Sequence, residues 1–198
     1  MSVDLINGGK MNFYIADTHF GHNNIIQLDN RPFLDMIEME GEMVRRWNDV
    51  VGKKDDVYIL GDFCWSTKPD DWNDICDKLN GNKHLILGNH DIKKMPVKAE
   101  SNFVEITSYK EINDCKRMIM MSHYPMPFYN HDHYPNAVML YGHVHVTLEQ
   151  KMMDEITDYI KENYPNNYCK TINVGCMMPW MDYTPRTISE LLINRKMV

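Results

Sequence analysis

Long apolar runs are missing from this chain. None approaches the roughly 20 residues that a membrane span requires, so no spanning helix is expected. Cysteine is sparse: the five thiols (Cys64, Cys76, Cys115, Cys169, Cys176) are odd in number and form no C-x-x-C pair. That argues against a disulfide framework and for reduced thiols in a cytoplasmic protein. The opening stretch MSVDLINGGKMNFYIAD has no long apolar core after a basic start, so no signal peptide is expected. Positive charge is scarce too. With 21 Lys and Arg against 28 Asp and Glu the net charge is −7, which argues against an extended nucleic-acid groove tracking many phosphates. Small phosphate substrates are compatible with that balance, because a metal centre supplies positive charge locally.

What is present is an ordinary globular composition, 43% hydrophobic and 25% charged, with no repeat or low-complexity tract. A chain of 198 residues buries a core without staples, and one domain over 1–198 is expected, residues 1–10 being loose. The 17 methionines are scattered among apolar positions and read as adaptable core filler.

The pattern begins with a strand, Asn12 to Ala16, ending at Asp17-Thr18-His19. A helix is predicted over Leu34 to Val51, its apolar stripe made by Met36, Ile37, Met43, Val44 and Trp47. A second strand, Asp56 to Leu60, ends at Gly61-Asp62, and a short helix follows over Pro69 to Leu79. The apolar run of KHLILGNHD then delivers Asn89, His90 and Asp91 after a glycine. Strands alternating with helices in this way predict a largely parallel sheet. Afterwards the pattern changes. Phe103 to Ile112 and Lys116 to Met121 are strand-like around Asn113-Asp114, a plausible hairpin, and the second ends at Ser122-His123. Ala137 to Leu140 ends at Gly142-His143-Val144-His145, Met152 to Tyr164 is helical, and Thr171 to Val174 is a strand. Thr187 to Ile193 fits strand or short helix, and antiparallel pairing is expected in this later half.

Five strand ends therefore carry D-x-H, G-D, G-N-H-D, S-H and G-H-x-H. In open α/β sheets ligands bind at the carboxyl ends of strands, so these residues would converge in space. Six of the nine histidines (19, 22, 90, 123, 143, 145) lie at or just after such ends. Mixed Asp, His and Asn donors suit manganese, iron or zinc and not a thiolate site. Seven candidates (Asp17, His19, Asp62, Asn89, His123, His143, His145) are too many for one ion and right for two. A pair of ions about 3.5–4 Å apart activates a hydroxide and clamps an in-line displacement at phosphorus. Asp62, arriving alone on its strand, is the candidate to lie between them.

This ordered set, D-x-H, G-D, G-N-H-[DE], H and G-H-x-H, resembles the calcineurin-like metallophosphoesterase superfamily over Asn12 to Val174. DTHFGHNNI and NRPF further resemble a small capless bacterial and phage subgroup. The resemblance implies a four-layer α/β/β/α sandwich of two mixed sheets. It implies that Asp17, His19 and His145 hold one divalent ion, that Asn89, His123 and His143 hold a second, and that Asp62 bridges them. It implies His90 as the general acid and Asp91 as its orienting partner. Protein phosphatases of the superfamily carry G-D-x-x-D-R and R-G-N-H-E. Trp65, Ser66 and Leu87 stand at the corresponding positions here, which argues against that role.

The activity so implied is hydrolysis of a phosphodiester or small phosphomonoester. A nucleotide or cyclic-nucleotide phosphodiesterase is the narrower alternative, and a non-catalytic scaffold of the same fold is another. Retention of His90 beside every ligand position favours the enzyme. Of the remaining residues, His22 would either contact substrate phosphate or cap the Asn23-Asn24 turn. Arg31 would be a phosphate ligand, a guanidinium being a planar fork for oxyanions. His131 and His133 read as a solvated loop, Trp65 and Tyr129 as buried aromatics before base-binding ones, and Asp70-Asp71 as the acidic first turn of a helix.

Overall fold

A computed structural model describes residues 9–164 and 166–197. Most of the expected loose start, residues 1–8, lies outside the described residues. Strands β1 (Asn12–Ile15), β2 (Asp56–Ile59), β3 (Asn82–Ile86) and β4 (Glu105–Thr107) form one sheet in that order, parallel throughout. Strands β5 (Tyr109–Asp114), β6 (Arg117–Ser122), β7 (Ala137–Tyr141) and β8 (Thr171–Asn173) form the other. Only the β5–β6 pair is antiparallel; β6–β7 and β7–β8 are parallel. The mixed character expected of both sheets therefore belongs to the second alone.

The helices are α1 (Ile25–Leu28), α2 (Met36–Val50), α3 (Pro69–Lys78), α4 (Asn89–Lys94), α5 (Leu148–Asn163) and α6 (Ile188–Asn194). Both α2 and α3 are crossovers between neighbouring parallel strands stepping the same way, so right-handed connection places them on one face of the first sheet. Helix α2 starts where the Asp35 side chain accepts from the Glu38 N–H, and it buries Met39, Met43 and Trp47 at intervals of four. Ile37, expected in that stripe, is instead 80% exposed. Gly41 costs no packing, since a Cβ there would point into open space. Helix α3 buries Trp72, Ile75 and Cys76, as their spacing predicts.

Alternation along the second sheet divides its residues cleanly. Ile119, Met121, Val138 and Leu140 join the core shared with the first sheet, while Met120, Met139 and Tyr141 pack beneath Met153 of α5. Tyr14 reaches across from β1, its hydroxyl donating to Asp114 of β5 at 2.7 Å. The result is the four-layer α/β/β/α sandwich that the resemblance implied.

The run Phe103 to Ile112 is not one strand. The chain leaves the edge of the first sheet after Thr107 and enters the edge of the second at Tyr109, with the Thr107 hydroxyl donating to the Tyr109 carbonyl. Asn113 and Asp114 remain within β5, and the hairpin turns at Cys115 and Lys116, whose φ values of 47° and 63° match a two-residue primed turn. Thr187 to Ile193 resolves as helix, its Thr187 and Glu190 closing a capping box.

Candidate metal centre

Strands β1, β2 and β3 run parallel, as do β6 and β7, so the five polar strand ends leave each sheet at a carboxyl edge. The two edges are stitched together just beyond the strands. Ala16 bridges Gly175 in parallel, with the Ala16 N–H donating to the Val174 carbonyl and the Cys176 N–H to Ala16. The loops after β1 and β2 are zipped likewise: the N–H groups of Asp17, His19 and Phe20 donate to Gly61, Asp62 and Phe63.

Two groups of side chains converge there. Asp17, His19 and His145 offer ligand atoms within 4.8 Å of one another, and so do Asp62, His123 and His143. Asn89 joins the second group, its Oδ1 lying 3.1 Å from His123 Nε2. Asp62 Oδ2 sits between the groups, 3.9 Å from His19 Nε2 and 3.6 Å from His123 Nε2. The donors fit a divalent cation by chemistry and by an orphaned atom: His19 Nε2 is buried without a hydrogen-bond partner.

The backbone is bent to make this convergence. Asp17, His19, Asp62, His143 and His145 all have φ between 45° and 71°, the left-handed region that L-residues with side chains seldom occupy. Such conformations concentrate at functional sites, where surrounding structure holds them. Glycine clears the room beneath the carboxylates. A Cβ at Gly88 would collide with Asp62 Oδ1, and one at Gly142 would stand 2.5 Å from Asp17 Oδ2.

Hydrogen bonds aim the imidazoles. His123 Nδ1 donates to the Leu60 carbonyl at 2.8 Å, which directs its Nε2 toward Asn89 and Asp62. His145 Nδ1 meets Asp29 Oδ1 at 2.6 Å, leaving its Nε2 3.7 Å from Asp17 Oδ1. Burial pulls His145 down, yet Asp17 and Asp29 outweigh it and push the group up to about 10. Asp17 shows the converse. Burial pushes it up, but His145, His123 and His19 bring it down to about 2. Burial also holds His19 well below the usual histidine range and raises Asp62.

Arg31 is placed differently from its expected role. Its side chain is buried, and every edge of the guanidinium is engaged: Nε and Nη2 with Asp29 Oδ2, Nη2 with the Asp17 carbonyl, Nη1 with the Thr18 carbonyl and Met39 sulfur. No donor is left for a phosphate. It braces the first ligand loop and the carboxylate that orients His145.

Asp91 also does other work than orienting His90. Its Oδ2 accepts from the Asp62 and Gly88 N–H groups, and its Oδ1 from Phe63, so it ties the second and third ligand loops together. Burial pushes its carboxyl up to about 7 against the pull of those donors. His90 stands beside Asp62, Nε2 to Oδ2 3.8 Å, with its N–H donating to Asp62 Oδ1. Its ring leans on Trp65, centroids 4.4 Å apart. His22 stacks flat on the same indole at 3.7 Å and 2°. His131 and His133 lie in the loop after β6, outside both groups, and Tyr129 is buried with its hydroxyl on the Lys170 carbonyl.

Asp29 carries no role in the sequence reading, and Trp65, read there as a buried aromatic before a base-binding one, is half-buried against His22 and His90. Asp29 sits two positions from Arg31, yet its second partner is His145, 116 residues away, which no local spacing announces. Trp65 becomes a hub only because Phe20 and Cys64 pair across the two loops.

No protein-family model matches the chain. An uncharacterized protein of Methanocaldococcus jannaschii is 45% identical over 80 residues, covering 40% of this chain and 46% of its own. The gene 66 protein of Mycobacterium phage L5 is 39% identical over 84 residues, covering 40% of this chain and 39% of its own. The matches thus span less than half the length of either curated relative. Two solved structures, a Pseudomonas putida nuclease MPE and an archaeal phosphodiesterase, overlap with TM-scores of 0.44 and 0.40 at 20% and 17% identity over 68% and 69% of this chain, covering 60% and 74% of their own. That overlap is too slight to speak to this chain's activity. A protein of unknown function from Aquifex aeolicus superposes far better, with a TM-score of 0.68 and 28% identity over 96% of this chain and all of its own, and it shares the α/β sandwich.

Proposed function

We propose that this chain is a single-domain, cytoplasmic metallophosphoesterase that hydrolyses a phosphodiester or small phosphomonoester at a two-ion centre. The observation that carries the reading is the pair of ligand groups meeting at Asp62 with His90 alongside. Asp17, His19 and His145 would hold one ion, Asn89, His123 and His143 the other, and Asp62 both, with manganese, iron or zinc suited to these donors. Such a pair supplies Lewis acidity toward the phosphoryl oxygens and a nucleophile at neutral pH.

The chain's own residues do the rest. Asp17 and Asp62 would offset only part of the ions' positive charge, and the remainder would attract an anionic ester. Leu60 and Asp29 hold His123 and His145 in the orientation that presents Nε2. His90, beside Asp62, would give a proton to the departing oxygen. His22, stacked on Trp65 with a buried Nδ1, shapes the wall beside it.

The test combines metal content with leaving-group dependence. Purified protein supplied with manganese is expected to bind two ions per chain by elemental mass spectrometry; saturation at one would refute the two-ion centre. His90→Ala is expected to keep both ions and lose about 10²–10⁴-fold in kcat on an alkyl ester. Its loss on a p-nitrophenyl ester, whose phenolate departs unaided, is expected to be far smaller. Equal losses on the two esters with both ions bound would remove His90 as the acid.

A further inference from the structure

Arg31 being wholly engaged, the centre needs another cation for the parts of a substrate that the ions do not reach. Helix α4 carries one. His90 and Lys94 stand four residues apart on that helix and so share a face. The Lys94 ammonium lies 4.3 Å over the Trp65 ring. His22 stacks flat against the same indole, so the cation and the imidazole occupy different parts of its surface. The main chain of Trp65 is anchored in the zipped loops, where its backbone N–H donates to the Phe20 carbonyl. No carboxylate among the described residues pairs with Lys94; the aromatic face holds its position and leaves its charge intact.

The side of the site is what gives this charge a meaning. His90 faces the departing oxygen in the function proposed above, so whatever lies next to His90 faces the leaving group. We propose that Lys94, carried on Trp65, is a substrate-binding residue that selects phosphate esters whose leaving group itself carries a negative charge. In hydrolysis a water oxygen bonds to phosphorus and the bond from phosphorus to the leaving oxygen breaks. The electron pair of that bond takes the His90 proton, and the proton released by water restores the count. A leaving group that is already anionic, where the ions do not reach it, meets a protein of net charge −7. Lys94 offsets that charge locally. A phosphate or carboxylate on the leaving alcohol meets this chemistry; a neutral or cationic one gains nothing from it. The inference rests on the phosphoesterase reading and adds the charge class of the substrate.

The test uses three phosphate esters that differ in leaving-group charge, 4-methylphenyl, 4-(sulfomethyl)phenyl and 4-(trimethylammoniomethyl)phenyl, each as monoester and methyl diester, with rates corrected for the basicity of each phenol. Sulfonate is chosen because it is a poor metal ligand. With manganese-loaded protein the anionic ester is expected to exceed the neutral one in kcat/KM by about tenfold, the scale of one charge-assisted contact open to water. The cationic ester should fall below both. Lys94→Gln is expected to collapse that order, Lys94→Glu to invert it and Lys94→Arg to retain it, with the change mainly in KM. Melting curves of the three variants should stay close to wild type, since Lys94 is only half-buried and no carboxylate among the described residues pairs with it. An unchanged order in Lys94→Gln, or no order in wild type, overturns the assignment. Binding of the three free phenols to wild type and Lys94→Gln, by titration calorimetry, is read for the same order. If the phenols follow it while none of the esters is hydrolysed, Lys94 stands and the phosphoesterase reading falls; if the phenols show no order, the assignment of Lys94 falls.

Discussion

Two clusters of histidine and carboxylate draw on strands of the first sheet, and they behave differently. One is the centre at the strand ends. The other lies within the strands, where Tyr14, Tyr58, His84 and Glu105 sit in register across β1 to β4. There His84 Nδ1 meets Glu105 Oε1 at 2.8 Å, and its Nε2 lies 3.2 Å from Asp56 Oδ1. Glu105 takes Lys110 and Asp56 takes Lys10. The residue types match those of the metal centre, but the carboxylates stand on opposite sides of the ring, so their oxygens diverge. Regular strand geometry points neighbours along a row; only the left-handed turns at Asp17, His19, Asp62, His143 and His145 gather donors onto one point. Composition makes both clusters available to a cation, and backbone shape decides which can hold one.

The largest effect should separate the two. Asp62→Asn is expected to lower kcat by several orders of magnitude and to lose metal, because one carboxylate lies against both ligand groups. His84→Gln, assayed below its melting temperature, should stay within about twofold of wild type, as a structural change remote from the site. A metal-replete Asp62→Asn with wild-type turnover, or an inactive but folded His84→Gln, would erase the distinction.

Arg31 gives the next effect. Arg31→Met leaves the buried Asp29 carboxylate with His145 alone and the Asp17 and Thr18 carbonyls without their donors, and breaking such a buried pair costs about 3–5 kcal/mol. A large drop in melting temperature is expected together with weaker metal retention, since Asp29 also orients His145. A raised KM at unchanged stability would instead return Arg31 to phosphate binding.

The smallest effect belongs to the in-strand row. Lys110 and His84 hold the Glu105 carboxyl below its usual range against burial. A depressed carboxyl contributes stability above its ordinary value and loses it as pH falls through the lower folded value. The pair is partly exposed, so Glu105→Gln should cost about 1 kcal/mol or less. The melting difference from wild type should be greatest near pH 7 and vanish in acid. A difference that grew on acidification would contradict this pairing.

The candidate ligands were legible because each sits in a short motif at the end of an apolar run, and five such motifs in order are hard to assemble by chance. Their supports were not. Asp91 lies inside one motif, but its partners are the backbone N–H groups of Asp62, Phe63 and Gly88, which carry no residue identity in a sequence. Arg31 looked like an oxyanion fork because guanidinium chemistry is the same whether it grips phosphate or carbonyls; only burial distinguishes them. The crossing between the sheets at Ser108 was hidden for a related reason. Residues on both sides of it favour strand, and nothing in a one-residue gap says that the next strand belongs to another sheet.

The seam between the sheets has a consequence for how the protein is made. Asp17, His19 and Asp62 follow strands of the first sheet, while His123, His143 and His145 follow strands of the second. Neither ligand group is complete without both. During synthesis, a nascent chain stopped anywhere before residue 143 offers no finished group, however well its first sheet has formed. Cation capture is thereby deferred until the two layers can close on each other. An ion held there would act as a rivet, and its binding energy would be paid into layer docking.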